Sequence, residues 1–305
     1  MVPVQFRRRG VSMLEVSGLT RRFGDMVAVD DVSFPVPSGG LTGFVGGNGA
    51  GKTTTMRMVM GVLAAHAGTV SWQGHEVTRE DRRRFGYMPE ERGLYPKQPI
   101  LDQLVYLARL RGMTTADARR EITALLERFG LGARTKDPLE KLSLGNQQRV
   151  QIIAALVPAP IALVLDEPFS GLDPEAIDAM ADLLREHARD GVPVVFSSHQ
   201  LDLVDRLCDR LVVMARGRVV TQGTGEELRA EAALRYRVVL DGDAGWVRDL
   251  PGLHVRDVAG PEAEIEVVSA GAEQKLLTEA TARGNVLDFH RVVPRLSEIY
   301  REVTA

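Results

Sequence analysis

Apolar residues change their spacing along the chain, and each change predicts a different kind of element. Short β-type segments separated by turns come first: Leu14-Glu15-Val16, residues 27–36, and residues 41–45 after Gly39-Gly40. A helix is predicted over residues 52–63, and Gly68-Thr69-Val70-Ser71-Trp72 reads as another strand. The texture then turns helical. Leu101, Leu104, Val105 and Ala108 share one helical face closed by Gly112, and Ile122, Leu125, Leu126 and Phe129 do the same before Gly130. A mainly helical block over about residues 85–155 is therefore expected as an insertion between strands of an α/β core.

Continuous apolar runs at residues 161–165, 192–196 and 211–214 are those of parallel strands buried on both faces. Asp173-Pro174 starts a helix, with aspartate at the cap and proline at its first position, and Gly191 stops it. After Gly223, residues 226–234 look helical. Short strands at 236–240, 253–258, 264–268 and 286–290 then alternate with helices, the longest near 273–283. That order predicts a small α+β domain of ferredoxin-like type.

A length of 305 residues leaves room for two domains. A net charge of −3 with 26% charged residues weakens a nucleic-acid reading, which needs a basic footprint. The clusters Arg7-Arg8-Arg9 and Arg82-Arg83-Arg84 read as solvated surface. The single cysteine, Cys208, has no partner for an internal disulfide. Residues 1–12 hold arginines without a following apolar run, so they read as a disordered extension and neither a signal peptide nor an anchor. The most apolar stretch, 150–165, contains Gln151, Pro158 and Pro160, which argues against a membrane span and leaves any membrane role to another polypeptide.

The chemistry concentrates between residues 46 and 54. Gly46-Gly47-Asn48-Gly49-Ala50-Gly51-Lys52-Thr53-Thr54, entered from Phe44-Val45, has the composition of a phosphate-binding loop between strand and helix. Its glycines let backbone N–H groups face phosphate oxygens, Lys52 reaches the β/γ-phosphates, and the Thr53 hydroxyl can ligate Mg²⁺. Asn48 also suits shaping of the turn. Downstream, Asp166 and Glu167 follow a buried strand, Asp166 as a Mg²⁺ ligand and Glu167 as acceptor of a proton from the attacking water. Asp-Glu before Pro168 also suits a plain loop cap.

Together these motifs resemble an ATP-binding cassette (ABC) ATPase, the nucleotide-binding subunit of a transporter, over residues 13–229. Leu142-Ser143-Leu144-Gly145-Asn146-Gln147-Gln148-Arg149 resembles the signature sequence, Ser170-Gly171-Leu172-Asp173 the segment after the catalytic glutamate, and His199 the switch histidine. Phe23 is positioned like the adenine-stacking aromatic, with a core contact as the alternative, and Glu90 sits where the family has a glutamine. The implied fold is α/β: a P-loop NTPase core with an N-terminal antiparallel β subdomain and an inserted helical subdomain, then a small α+β domain at 235–305.

The implied site has Lys52, Glu167 and His199 as catalytic residues and Thr53, Asp166 and Glu90 at the metal. ATP contacts would come from Phe23, Gly46, Asn48, Gly49, Ala50, Gly51, Lys52, Thr53, Thr54, Glu90, Ser143, Gly145 and Asp173. Ser143 and Gly145 are expected to act in trans, from a second copy in an ATP-dependent homodimer. Asp173 is also a helix cap, and His199 alone would read as structural. Glu90 for glutamine, and Leu144 and Asn146 for the signature's glycine and glutamine, depart from the pattern. Residues 89–96 and the C-terminal domain resemble a bacterial sodium and drug exporter branch, in which Leu94 and Tyr95 would anchor a membrane permease or, alternatively, pack inside the helical block. The resemblance thus implies a cytoplasmic ATPase held at the membrane by that permease, with ATP and Mg²⁺ and without nucleic acid. A soluble assembly or regulatory cassette, and a weakly hydrolysing nucleotide sensor, are the competing readings.

Overall fold

The computed structural model describes residues 13–91 and 93–304, so the expectation for residues 1–12 lies outside them. The chain divides into two compact units, one ending at Thr224 and one beginning at Gly225. The first runs β1 (Met13–Phe23), β2 (Met26–Pro37), β3 (Leu41–Gly46), α1 (Lys52–Val59), β4 (Ala67–Trp72), β5 (His75–Glu76), α2 (Arg79–Arg83) and β6 (Phe85–Met88). It continues through α3 (Ile100–Leu110), α4 (Thr115–Arg128), α5 (Leu144–Leu156), β7 (Ala162–Leu165), α6 (Pro174–Arg189), β8 (Val194–Ser198), α7 (Leu201–Leu207), β9 (Arg210–Ala215) and β10 (Arg218–Thr224).

Two sheets frame this unit. An antiparallel sheet has the order β2-β1-β4-β5, and a six-stranded sheet has the order β10-β9-β3-β8-β7-β6. In the second sheet β9 through β6 are parallel and β10 alone is antiparallel. Every residue of β3, β7 and β8 is buried, as the unbroken apolar runs require. Their C-terminal ends therefore deliver Gly46, Leu165 and Ser198 to one edge of the sheet, where open α/β sheets hold ligands.

Two expectations are corrected here. The helical block does not begin at residue 85: Phe85–Met88 forms β6, paired in register with Ala162–Leu165 of β7. This apolar tetrapeptide is too short to show a period, and only a neighbouring strand makes it β. The α1 helix ends at Val59 and not near residue 63, because the amides of Val62 and Leu63 double back onto the Arg57 carbonyl at 2.9 and 3.1 Å.

The second unit contains α8 (Gly225–Glu231), β11 (Arg235–Leu240), β12 (Leu253–Ala259), β13 (Glu262–Val267), α9 (Ala272–Arg283), β14 (Val286–Val292) and α10 (Leu296–Thr304). The sequence reading grouped α8 with the ATPase; here it belongs to the C-terminal unit, where it packs on α10. The sheet order β12-β13-β11-β14, antiparallel throughout, is that of a ferredoxin-like fold, with the first helix reduced to a single turn at Gly245–Asp249. Val238, Leu240, Ile265, Leu276 and Ala280 form its core. On the opposite face Arg235 is 1% exposed and ion-pairs with Glu298, at 3.0 Å, and with Glu302, both on α10.

Losing Arg235 would leave two carboxylates without their buried partner. Because the two carboxylates left behind are 39% and 36% exposed, Arg235→Ala is expected to destabilise the C-terminal unit by about 1–2 kcal/mol. Urea unfolding followed by Trp246 fluorescence in a Trp72→Phe background measures this.

Candidate functional site

The loop between β3 and α1 shapes the floor of a cavity of about 820 Å³, within the range of small-molecule sites. Gly51 turns the loop into α1 with φ +103°, and a Cβ there would lie 2.7 Å from the Ala28 carbonyl, so no other residue fits. The Lys52 ammonium folds back over the loop and donates to the carbonyls of Gly46 (2.6 Å) and Gly47 (3.2 Å). Asn48 through Thr54 line the cavity. Phe23 lines it too, at the β1–β2 turn. Its ring is 44% exposed, which removes the core-contact alternative, and the Arg21 guanidinium lies 4.9 Å from its centroid.

The carboxylates arrive at the end of β7. The parallel register pairs Leu165 with Phe196, so the next residues, Asp166 and Ser197, stand side by side. Asp166 is fully buried. Its Oδ1 accepts from the Ser197 hydroxyl at 2.5 Å, while its Oδ2 is buried without a hydrogen-bond partner among the described residues. The same hydroxyl accepts from the Glu167 N–H at 2.8 Å. Glu167 itself takes φ +52°, rare for a side chain of its size, and this turns its carboxylate out of the strand direction into the cavity.

His199 completes the pair: its Nδ1 lies 3.0 Å from Glu167 Oε2. Burial pushes the Glu167 carboxyl up, and the hydrogen bond and charge of His199, then the charge of Lys52, act against that rise. The arrangement is that of a base with an orienting partner, in which the carboxylate holds a raised proton affinity and an imidazole defines its direction.

The structure also brings Glu90 to the cavity, because β6 ends beside β7 and the Asp166 amide donates to the Met88 carbonyl at 2.8 Å. Glu90 Oε2 accepts from the Thr53 hydroxyl at 3.3 Å. Two side chains of α5 hold these loops. Gln148 Nε2 donates to the Glu167 and Pro168 carbonyls at 2.9 and 3.1 Å, and Gln151 Nε2 donates to the Pro89 carbonyl at 2.7 Å. Ser197, Gln148 and Gln151 were not among the predicted site residues. The signal for Ser197 lay in the equal offsets of two parallel apolar runs; none existed for the glutamines, which needed the packing of α5.

Gly46, Ser143, Gly145 and Asp173 do not line the cavity. Ser143 is exposed at the start of α5 and caps it, accepting from the Asn146 N–H at 3.4 Å. A Cβ on Gly145 would lie 3.0 Å from the Gly171 carbonyl, which keeps this turn tight against the next loop. Asp173 caps α6 through the Ala176 N–H at 2.8 Å and pairs with Arg149 at 3.4 Å. Tyr95 is 57% exposed and so does not pack inside the helical block, whereas Leu94 is half-buried.

Comparison with known proteins agrees with this geometry. Residues 29–170 match the ABC transporter family model, and residues 223–304 match the C-terminal domain of DrrA1-3-like ATP-binding proteins. The chain is 36% identical over 291 residues to the uncharacterized ABC transporter ATP-binding protein YhaQ of Bacillus subtilis, covering 95% of this chain and 98% of the relative. It is 30% identical to the linearmycin resistance ATP-binding protein LnrL of the same organism, covering 96% and 98%. With the daunorubicin/doxorubicin resistance ATP-binding protein DrrA of Streptomyces peucetius it shares 36% identity over 71% of this chain and 67% of the relative. A solved ATP-binding subunit of an ABC transporter superposes with a TM-score of 0.67 at 33% identity, over 72% of this chain and 92% of that one. The chain belongs to the family of ABC transporter ATP-binding proteins, cassettes that hydrolyse ATP.

Proposed function

We propose that this cassette hydrolyses ATP at the cavity between the phosphate loop and the Asp166–Glu167 pair, in a head-to-tail dimer that powers a separate export permease. The observation that carries the dimer is the position of Ser143 and Gly145. The hydroxyl and the helix start that would bind a γ-phosphate do not line the cavity of their own chain. Leu144 between them is 60% exposed, apolar surface available to a second copy. The export reading is supported by the drug-resistance and Nod factor export names of relatives.

In this reading ATP spans the cavity with its phosphates on the Gly46–Thr54 loop and its adenine on Phe23. Lys52 exchanges the loop carbonyls for phosphate oxygens. Glu167 accepts the proton of the attacking water, and His199 holds the carboxylate in place. Among the described residues no cluster of three or more His, Cys, Asp or Glu side chains could hold a metal, and Mg²⁺ needs none. It is bound through one or two carboxylates plus substrate phosphates. The orphaned buried Oδ2 of Asp166, with the Thr53 hydroxyl and Glu90, fits that demand. Mg²⁺ would supply charge neutralisation at the β- and γ-phosphates. The permease would dock at the exposed Tyr95, and the complex would sit on the cytoplasmic face of the membrane. Among the described residues no helix is long and apolar enough to cross it.

The general-base role predicts that Glu167→Gln retains ATP binding, accumulates as an ATP-bound dimer by size exclusion, and loses about 10²- to 10⁴-fold in kcat. Full turnover would exclude Glu167 as the base. Because His199 lowers the raised Glu167 pKa, His199→Ala should raise it further, so the acid limb of kcat against pH moves upward. A limb that stays or moves down contradicts that pairing. Affinity purification from detergent-solubilised membranes should recover a multi-span protein with the chain; soluble partners alone would favour an assembly or regulatory cassette.

A further inference from the structure

The β9–β10 hairpin closes through two residues. Ala215 pairs with Arg218, which leaves Arg216 and Gly217 at φ +49° and +81° as the turn. Such two-residue turns, with positive φ at both positions, favour Asn-Gly, and an arginine in the first position is strained. The turn is fastened on both sides. The Gly217 N–H donates to the Ala50 carbonyl of the phosphate loop at 3.1 Å, and the Gly217 carbonyl accepts from the Asp30 N–H of β2 at 2.8 Å. Both turn residues line the cavity, on the side shared with Met26, Val27 and Ala28.

The charges around the turn differ sharply in how they are used. Arg218 pairs with Asp30, and Arg21 lies over Phe23 while donating to the Ala64 carbonyl at 2.9 Å. Lys52 is folded onto its own loop. Arg216 makes no hydrogen bond or ion pair among the described residues. It is thus an unengaged cation lining a cavity that Phe23 and the carboxylates Glu90, Asp166 and Glu167 line as well.

We propose that Arg216 is a nucleotide-binding residue whose guanidinium engages the ribose and α-phosphate portion of ATP. The placement follows from the stitching of its turn between Ala50, at the phosphates, and the β2 strand that flanks the adenine wall. It deepens the reading that ATP occupies this cavity and rests on it. A guanidinium there adds charge-assisted hydrogen bonds to an oxyanion, beside the single ammonium of Lys52. Strain alone would not mark the site. Gln73-Gly74 makes the same turn between β4 and β5 at φ +49° and +84°, with no part in the cavity. That second turn supplies the control.

The test is calorimetric titration of the full chain with ATP, ADP and AMP, alongside thermal unfolding. Arg216→Asn should weaken all three nucleotides about five- to twenty-fold. It should also raise the unfolding midpoint by about 2 °C, because Asn-Gly fits the turn. Gln73→Asn should gain a similar midpoint shift with unchanged nucleotide affinity, and Arg216→Lys should retain most of the affinity. Unchanged affinity in Arg216→Asn, or a loss confined to ATP, overturns the proposal. Affinity and midpoint falling together would make Arg216 a purely structural residue and overturn it equally. Lys52→Ala separates the two levels: it should abolish binding, and if it does not, the placement of ATP in this cavity fails and Arg216 with it.

Discussion

Burying a carboxylate completely is costly unless something compensates it, and the centre of this molecule is arranged around one such group. Asp166 has no solvent exposure, yet only one of its oxygens is satisfied inside the protein, by a 2.5 Å hydrogen bond from Ser197. That bond exists because β7 and β8 are parallel neighbours in fixed register. The same hydroxyl then receives the Glu167 amide, so a single serine sets the position of both carboxylates. What remains unsatisfied among the described residues is the second Asp166 oxygen, and Asp166 lines the same cavity as Thr53 and Glu90.

Around that pair the structure builds inward from rigid parts. The glycine-rich loop is carried by a fully buried strand, Glu167 is thrown out of line by a positive φ, and Glu90 follows the short strand β6. Helix α5 ties two of these segments together. Gln148 and Gln151, one turn apart, hold the carbonyls after Glu167 and before Glu90, while Ser143 caps the exposed end of the same helix. A displacement of α5 is therefore a displacement of both the Glu167 loop and the Glu90 loop, since buried amide hydrogen bonds are expensive to leave unmade.

The C-terminal unit follows a different logic. Its ferredoxin-like sheet has an apolar face around Val238 and Ile265, and a charged face on which Arg235 draws α10 down through Glu298 and Glu302. The charges there are arranged in pairs, Arg237 with Glu262 and Arg256 with Glu266 among them, which suits a structural face more than a catalytic one.

The sequence alone determined the glycine-rich turn between strand and helix, the adjacent carboxylates at a strand end, the helix cap at Asp173 and the ferredoxin-like order, because each depends on residues close together in the chain. A glycine-rich turn, an apolar run with its period, and a capping aspartate are local facts of covalent geometry and hydrogen bonding. Tertiary structure decided the rest. That β6 is a strand, that Ser197 touches Asp166, that Gln151 reaches Pro89, and that Arg216 lines the cavity while Arg218 is paired all depend on which strands lie side by side. It also left Ser143 and Gly145 outside the lining of the cavity of their own chain. Register and packing are properties of contacts between distant segments, and no spacing along a single segment encodes them.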